Sequence, residues 1–567
     1  MLEYEHHGIK RYIMQKKIIP LLLLGGSLVL VGGCDQIRFT DPKKPETKSE
    51  EKVEPQAQHP REALGLTTTH KLKSLNPNKL QTAYELSAMN MVGEGLFRLE
   101  KDGSISPGVS NGEIERHDKD VIIHLKPEAQ WSNNDPVTAS DFVYAWQELV
   151  NPEHHNFYAY KLLALIDNAS AVSSGEVGVD QLHVQALDDH RLKITLKDPA
   201  MDDNSLKQAL AFPALFPLPK NFIGQITYDL YGQKSINTLS NGPYNLSAWE
   251  SGWDTWTYDR NEEYHNWTDY PTEKLSVQYV KNTETAKKSY QQRLTDILIS
   301  RTPEEDWTAL KRPFSQNLLY HINQSGKKNI LNDQRLRDLL AQNIDQQALT
   351  ETLPRLQSSY SLDPQSEGQV HEKTALDNEK SMQTLLEDYQ FEAIELDLVT
   401  DDNALSQKIA KELQKQWESK IPHLVINIFP LSEKVLMERV QKGDFDLYLS
   451  QQQAYDNYSN SELYLPYTAP NYQKAWGEDL EAFQELMKQN ASGKLSDEDR
   501  SQADQLIQKH QIASPILKGD YSYLSREEVI NQAPYSDKGF LFDFKNMAYE
   551  KSSQTIPIKA DKKKANK

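Results

Sequence analysis

The sequence predicts an α/β fold in at least two domains, and three observations carry that prediction. Its 567 residues, 38% of them hydrophobic, are enough for several packed cores. Helical stripes alternate with short apolar strands in the second half. Leu336, Leu339, Leu340 and Ile344 share one helix face, and Leu405, Ile409, Leu413 and Trp417 share another. The strands Leu424–Phe429 and Phe445–Leu449 follow. Finally, Cys34 is the only cysteine, so stability must come from packing rather than from disulfides or a thiolate zinc cluster.

Cys34 ends a patterned stretch. Lys16 and Lys17 precede the apolar run Ile18–Val31, and Gly32-Gly33 follow it. Positive charge, apolar run and small residues are the order of a secretory signal, and the run is shorter than the roughly 20 residues a membrane span needs. Met14 is the natural start of such a segment. The ending Gly32-Gly33-Cys34 resembles the lipobox of bacterial lipoproteins. That resemblance implies cleavage before Cys34, acylation of its thiol and an anchored chain outside the cell membrane. Residues 34–60 are rich in Lys, Glu, Pro and Gln, with little to bury, and are expected to form a tether. The net charge of −19 disfavours nucleic acid as a partner.

Folded sequence begins near Leu64. Leu64–Thr69 reads as a strand, Tyr84–Val92 as a helix, Asp102-Gly103 as a tight turn and Val121–Leu125 as a strand. Thr138 and Asp141 have the spacing of a capping box, and Phe142, Trp146 and Leu149 give the helix after them one apolar face. Asn151-Pro152 stops it. Asn241-Gly242-Pro243 is a turn that delivers Tyr244 and Trp249 into a sheet. Glu481–Asn490 and Asp497–His510 read as helices. The basic residues of 551–567 read as a solvated tail.

Several blocks in order carry a family resemblance. They are Glu94-Gly95-Leu96, Gly103-Ser104-Ile105-Ser106-Pro107 and the series from Trp131 to Trp146. Ser240-Asn241-Gly242-Pro243-Tyr244, Asn332 to Leu340, and Gly443-Asp444-Phe445-Asp446 follow. The set resembles the peptide-binding branch of the extracellular solute-binding proteins of family 5, the oligopeptide-binding lipoproteins of ABC importers. It implies a two-lobed periplasmic-binding-protein-like fold (class II, cluster C) with an extra subdomain in the first lobe. The expected division is a signal at 1–33, lobe I at 61–100, 201–285 and 511–550, the subdomain at 101–200, and lobe II at 286–510.

The resemblance also implies a function: capture of oligopeptides between the lobes and delivery to a membrane permease and ATPase complex. The protein would act as a monomer, with no cofactor and no catalysis. Reception of a secreted signalling peptide is the alternative, and another small ligand is a further one. Within this resemblance Glu94 and Gly95 would line the ligand with backbone groups. The family's amine-binding aspartate maps near Asp456, with Asn457 as its rival, because the sequence Gln451 to Asn460 departs from the family pattern. Tyr455 and Tyr458 would shape the pocket there.

Motifs for hydrolysis or phosphate binding are missing from the sequence. Glu153-His154-His155 has no identifiable third ligand, so a metal site is not expected. Asp202-Asp203 and Asp401-Asp402 read as solvated loop residues.

Overall fold

The structure, a computed structural model, describes residues 63–549 except 155, 157, 301–307, 324–327, 354–355, 365, 370–375, 454–462, 469–471, 490–494 and 531–540. Cys34, the tether and the basic tail therefore lie outside the described residues.

Lobe I opens with β1 (Leu64–Thr68) and α1 (Ala83–Val92). A capping box starts α1: Thr82 Oγ1 accepts from the Glu85 amide, and the Glu85 carboxylate accepts from the Thr82 amide, both at 3.1 Å. All ten residues of α1 are buried, so the helix shows no amphipathic stripe. The hairpin β2 (Phe97–Leu99)–β3 (Ile105–Pro107) turns at Asp102-Gly103, where Gly103 has φ 84°.

Next come β4 (Ser110–His117), β5 (Asp120–Leu125), α2 (Ala139–Val150), α3 (Ala159–Leu165), α4 (Ala169–Ser173), β6 (Val184–Asp188) and β7 (Arg191–Thr195). The four strands form a separate sheet in the order β4-β5-β7-β6. The Thr138–Asp141 capping box is present, and Asp141 also accepts from the Lys220 amide at 3.0 Å. Phe142, Trp146 and Leu149 are fully buried, and Trp146 Nε1 donates to Leu215 O at 2.9 Å. Core residues of this subdomain belong to the same hydrophobic cluster as lobe I, so the two share one core.

Lobe I continues with α5 (Asp203–Leu210), α6 (Lys220–Ile226), β8 (Tyr244–Ser247), β9 (Thr255–Arg260), β10 (Lys274–Tyr279), α7 (Thr283–Gln291) and β11 (Ile297–Ser300). Lobe II contains β12 (Thr308–Ile322), α8 (Gln334–Gln342), α9 (Gln346–Thr352), β13 (Gln357–Ser358), α10 (Asn378–Tyr389), β14 (Ile394–Asp401) and α11 (Ala404–Lys420). It goes on through β15 (Leu424–Leu431), α12 (Glu433–Gln441), β16 (Leu447–Gln453), α13 (Gln473–Trp476), α14 (Leu480–Gln489) and α15 (Asp497–His510). The chain returns along β17 (Ala513–Ser525) to β18 (Val529–Ile530) and β19 (Ala548–Tyr549).

One long sheet runs through both lobes in the order β15-β14-β16-β12-β17-β11-β1-β10-β9-β8, with β13 paired to β17. β12 and β17 are its crossing strands. Their antiparallel ladder shifts register between Leu310 and Ser315 and again between Leu318 and Leu319, the irregularities that let a ladder bend. Among the described residues lobe I packs around Trp146, Tyr244 and Trp256, and lobe II around two clusters, one at Leu336, Leu396 and Trp417 and one at Tyr464, Trp476 and Phe483.

The crossing falls later in the chain than the sequence suggests. Ile297 and Ile299 pack in the first core, beyond the expected boundary at 285/286. Ile516 and Leu517 pack in the second, beyond the boundary expected at 510/511. A strand that leaves one core for another keeps the same apolar composition, so sequence alone does not mark the passage.

Candidate ligand cleft

Strand direction locates the cleft. β1 runs parallel to β10 and β11, and β14 runs parallel to β15 and β16. β11 is antiparallel to β17, β17 to β12, and β12 to β16. The two parallel sets therefore run toward each other. The carboxyl ends of β1, β10 and β11 face those of β14 and β16 across the crossing strands, and open α/β sheets bind ligands outside such ends.

Lobe I brings Thr68, Thr69 and His70 to this place from β1, Lys281 and Asn282 from β10, and Ser300 from β11. The His70 ring stacks on Tyr84 with centroids 5.2 Å apart and meets Tyr521 edge-on at 4.8 Å. Its amide donates to Thr68 Oγ1 at 3.0 Å. Asn282 Oδ1 accepts from the Thr285 amide at 2.9 Å and so caps α7.

Lobe II answers with Asp401-Asp402-Asn403 after β14. Asp401 accepts from the Asn403 amide at 3.0 Å, and Asn403 Oδ1 accepts from the Ser406 amide at 2.8 Å, capping α11. Gln451, near the end of β16, donates to Ser406 Oγ at 3.1 Å. The N-termini of α7 and α11 thus both border the cleft, and each brings the positive end of a helix dipole. A hydrogen bond spans the gap: Lys281 Nζ donates to Asp402 Oδ2 at 2.7 Å. The hydrogen bond to Asp402, and then its negative charge, raise the Lys281 pKa.

Of the residues expected at the site, Glu94 and Gly95 are among the described residues. Glu94 is 1% exposed. Its amide donates to Asn241 Oδ1 at 3.0 Å and its carbonyl accepts from Asn241 Nδ2 at 2.9 Å. The Gly95 carbonyl accepts from the Val109 amide at 2.8 Å. A Cβ on Gly95 would come within 2.5 Å of the Phe216 ring, so side-chain packing explains the glycine. Within the structure these backbone groups hold lobe I together. Tyr455, Asp456, Asn457 and Tyr458 lie outside the described residues; in sequence they follow Gln453, the last residue of β16.

Burial dominates the electrostatics around Glu94. It pushes the carboxyl up from 4.5 to about 7, against the pull of Arg98 and the Tyr264 hydroxyl, which donates to Glu94 Oε1. His265 is driven down to about 4, by burial first and then by Lys126. His265 Nδ1 lies 3.7 Å from Glu94 Oε2. Between pH 4 and 7 both are neutral, so the pair is not a salt bridge.

His154 Nε2 lies 2.6 Å from Glu148 Oε2, and its ring stacks on Tyr228. Among the described residues no group of three or more His, Cys, Asp or Glu could hold a metal ion. Asp202 caps α5 through the amides of Asn204 and Ser205. Sequence reasoning missed Lys281, Asp402 and His70. The cap signals Asn282 and Asn403 mark the turns where strands end and helices begin, and they point to the first two.

A family model described as bacterial extracellular solute-binding proteins, family 5 middle, matches residues 105–474. The chain belongs to this family. Among curated relatives of this family 5 protein, the dipeptide-binding protein of Lactococcus lactis is 25% identical over 411 residues, covering 66% of this chain and 74% of the relative. The periplasmic oligopeptide-binding protein OppA of Salmonella typhimurium is 26% identical over 407 residues, covering 66% and 72%. The fold agrees with that of OppA from Listeria monocytogenes bound to peptide, at TM-score 0.72 and 23% identity over 86% of this chain and 99% of that one. It agrees equally with the pheromone receptor PrgZ, at TM-score 0.72 and 24% identity over 86% and 100%. The two-lobed binding-protein fold expected from the sequence is therefore present. Among the described residues of this family 5 chain no helix is long and apolar enough to cross a membrane.

Proposed function

We propose that the protein captures oligopeptides in the cleft between its lobes and delivers them to an ABC importer, whose ATPases supply the energy. Anchoring would be through acylated Cys34, on the outer face of the membrane, with 34–60 as the tether and the monomer as the working unit. The observation that carries this reading is the meeting of two sets of strand carboxyl ends, joined by Lys281 and Asp402, in a chain whose relatives are named for dipeptide and oligopeptide binding.

A peptide backbone in such a cleft would pair like an added strand, with its side chains in wet pockets. Its ammonium needs a carboxylate, because an unpaired buried charge is costly. Asp456 would take that role, with Asn457 as the rival, and Tyr455 and Tyr458 would shape the pocket. The work is binding alone: the ligand favours the closed state over the open one, and no bond is broken.

Native mass spectrometry of the chain lacking residues 1–34 tests this. A mixed set of peptide adducts is expected. A bare protein that no peptide pool stabilises overturns the reading, since a ligand at 100 times its Kd should add about 2.7 kcal/mol. A second reading, reception of one secreted signalling peptide, is favoured by the likeness to PrgZ. It requires a single dominant adduct.

The Lys281–Asp402 pair gives a sharper test of closure. Both partners are exposed, at 59% and 40% of their side chains, so their attraction is weak and screened by salt. Lys281→Glu replaces that attraction with repulsion. It should weaken peptide affinity roughly fivefold at low salt, and much less at high salt. The swap K281E/D402K should restore it. Calorimetric titration showing equal affinity in all three proteins would place closure elsewhere.

A further inference from the structure

The chain carries Ser-Asn-Gly twice, as Ser110-Asn111-Gly112 and as Ser240-Asn241-Gly242. An asparagine before a glycine is open to attack by its own backbone. Glycine has no Cβ to keep its amide nitrogen away from the asparagine Cγ. The structure treats the two copies in opposite ways.

Asn241 is locked. It is 7% exposed. Its Oδ1 accepts from the Glu94 amide at 3.0 Å, and its Nδ2 donates to the Glu94 carbonyl at 2.9 Å. The Gly242 amide, which would have to attack, donates to Val92 O at 3.1 Å. Both ends of the side chain and the nucleophile are held.

Asn111 is exposed, in an irregular part of β4. The ladder with β5 shifts register between Ser110 and Ile114. Gly112 has φ 91°, and a Cβ on it would lie 2.9 Å from Pro107 Cγ, so the backbone itself requires glycine after this asparagine. The bonds around the pair lie where the reaction uses them. The Glu113 amide donates to Asn111 Oδ1 at 2.9 Å, which polarises the carbonyl and would hold the oxyanion as it forms. The Gly112 amide donates to Ser110 Oγ at 3.3 Å, an acceptor for the proton that the nitrogen must lose. Asn111 Nδ2 donates to Glu113 Oε2 at 3.3 Å, which fixes the rotation of the amide.

We propose that Asn111 is a site of spontaneous modification, where the Gly112 nitrogen closes a succinimide on the asparagine side chain and water opens it to aspartate or isoaspartate. The Gly112 N–Cγ bond forms and the Cγ–Nδ2 bond breaks. The Gly112 amide proton leaves with Nδ2 as ammonia. Water then adds across one of the two ring C–N bonds. Opening at Cγ gives aspartate, and opening at the backbone carbonyl gives isoaspartate, whose main chain runs through the former side chain. Either product sets a carboxylate beside Glu113 where an amide donor stood, and the two negative charges repel. Ageing therefore converts the protein to a more acidic form, altered in the subdomain of lobe I.

Incubation of the purified full-length protein at mildly alkaline pH, which favours loss of the amide proton, tests this. Peptide mapping by mass spectrometry, with enzymatic methylation to mark isoaspartate, follows both asparagines. The same incubation in guanidinium chloride gives the unfolded reference, in which both copies can react. In the folded protein Asn111 should convert at least as fast as in the unfolded chain. Asn241 should be slowed about tenfold or more by folding, since two buried hydrogen bonds must open first. Asn111→Gln should abolish the product in that peptide, because a ring one atom larger closes far more slowly. An Asn111 that stays intact in the folded protein, converts more slowly there than in guanidinium chloride, or keeps no lead over Asn241 would overturn the proposal.

Discussion

Replacing Trp417 with alanine should lower the unfolding free energy by about 3–5 kcal/mol, the usual cost of deleting a large ring from a packed core. The side chain is fully buried in α11. Its Nε1 donates to Leu340 O of α8 at 2.8 Å, and its ring meets Tyr320 of β12 edge-on with centroids 5.5 Å apart. One residue thus ties two helices to a crossing strand. Alanine would leave a cavity and an unpaired carbonyl. Trp417→Phe keeps most of the ring and loses the bond, so it should cost less, about 1–3 kcal/mol. Urea unfolding followed by circular dichroism measures both. A loss below about 1 kcal/mol for the alanine variant would contradict this account of the second core.

The second large effect is in pH. Burial holds the Glu94 pKa at about 7 in the folded protein, against 4.5 for a solvated glutamate. Between those values the folded protein holds a proton that the unfolded chain releases. Stability from this group is present below pH 4.5, falls as pH rises through the window, and is gone above about 7. The shift corresponds to about 3 kcal/mol. Glu94→Gln keeps the shape and still accepts from the Tyr264 hydroxyl, but it does not titrate. Its stability should change less between about pH 5 and 8 than that of the natural protein, and at the upper end it should be the more stable of the two. Parallel pH slopes for the two proteins would show that the carboxyl is not protonated when folded.

Local features were legible in the sequence because they are decided within a few residues. Thr138 and Asp141 stand three apart, and their capping box follows. Leu336, Leu339 and Leu340 of α8 and Ile409, Leu413 and Trp417 of α11 are buried as their spacing requires, whereas Ile344 falls beyond the end of α8 and Leu405 is half-buried. The family blocks pointed to the two-lobed fold. The site was less legible, because it is assembled from distant parts. Lys281 and Asp402 meet only after β1 joins β10 and β11 and the sheet crosses into lobe II. Glu94 and Gly95 illustrate the converse. Their motif resembles that of a ligand-lining segment, yet Asn241 and Phe216 account for the backbone bonds and the missing side chain.

The sheet order also constrains the sequence of events in folding. β17 lies between β12 and β11, and it is the last strand of the long sheet to be made. Until residues 513–525 emerge, β11 and β12 each present a bare edge, and the strand that pairs with both is missing from between the two half-sheets. Such edges invite pairing with other chains. The core of lobe I also waits for the late residues Tyr521, Val529, Leu541, Phe542, Phe544 and Met547, which pack in it, and the long sheet is complete only when β17 slides in as a keystone. A chain cut short before Ala513 would therefore hold two half-sheets, each with an open flank, and a lobe I core lacking its last residues, rather than a slightly shorter receptor. Delay at that last step is where aggregation should begin.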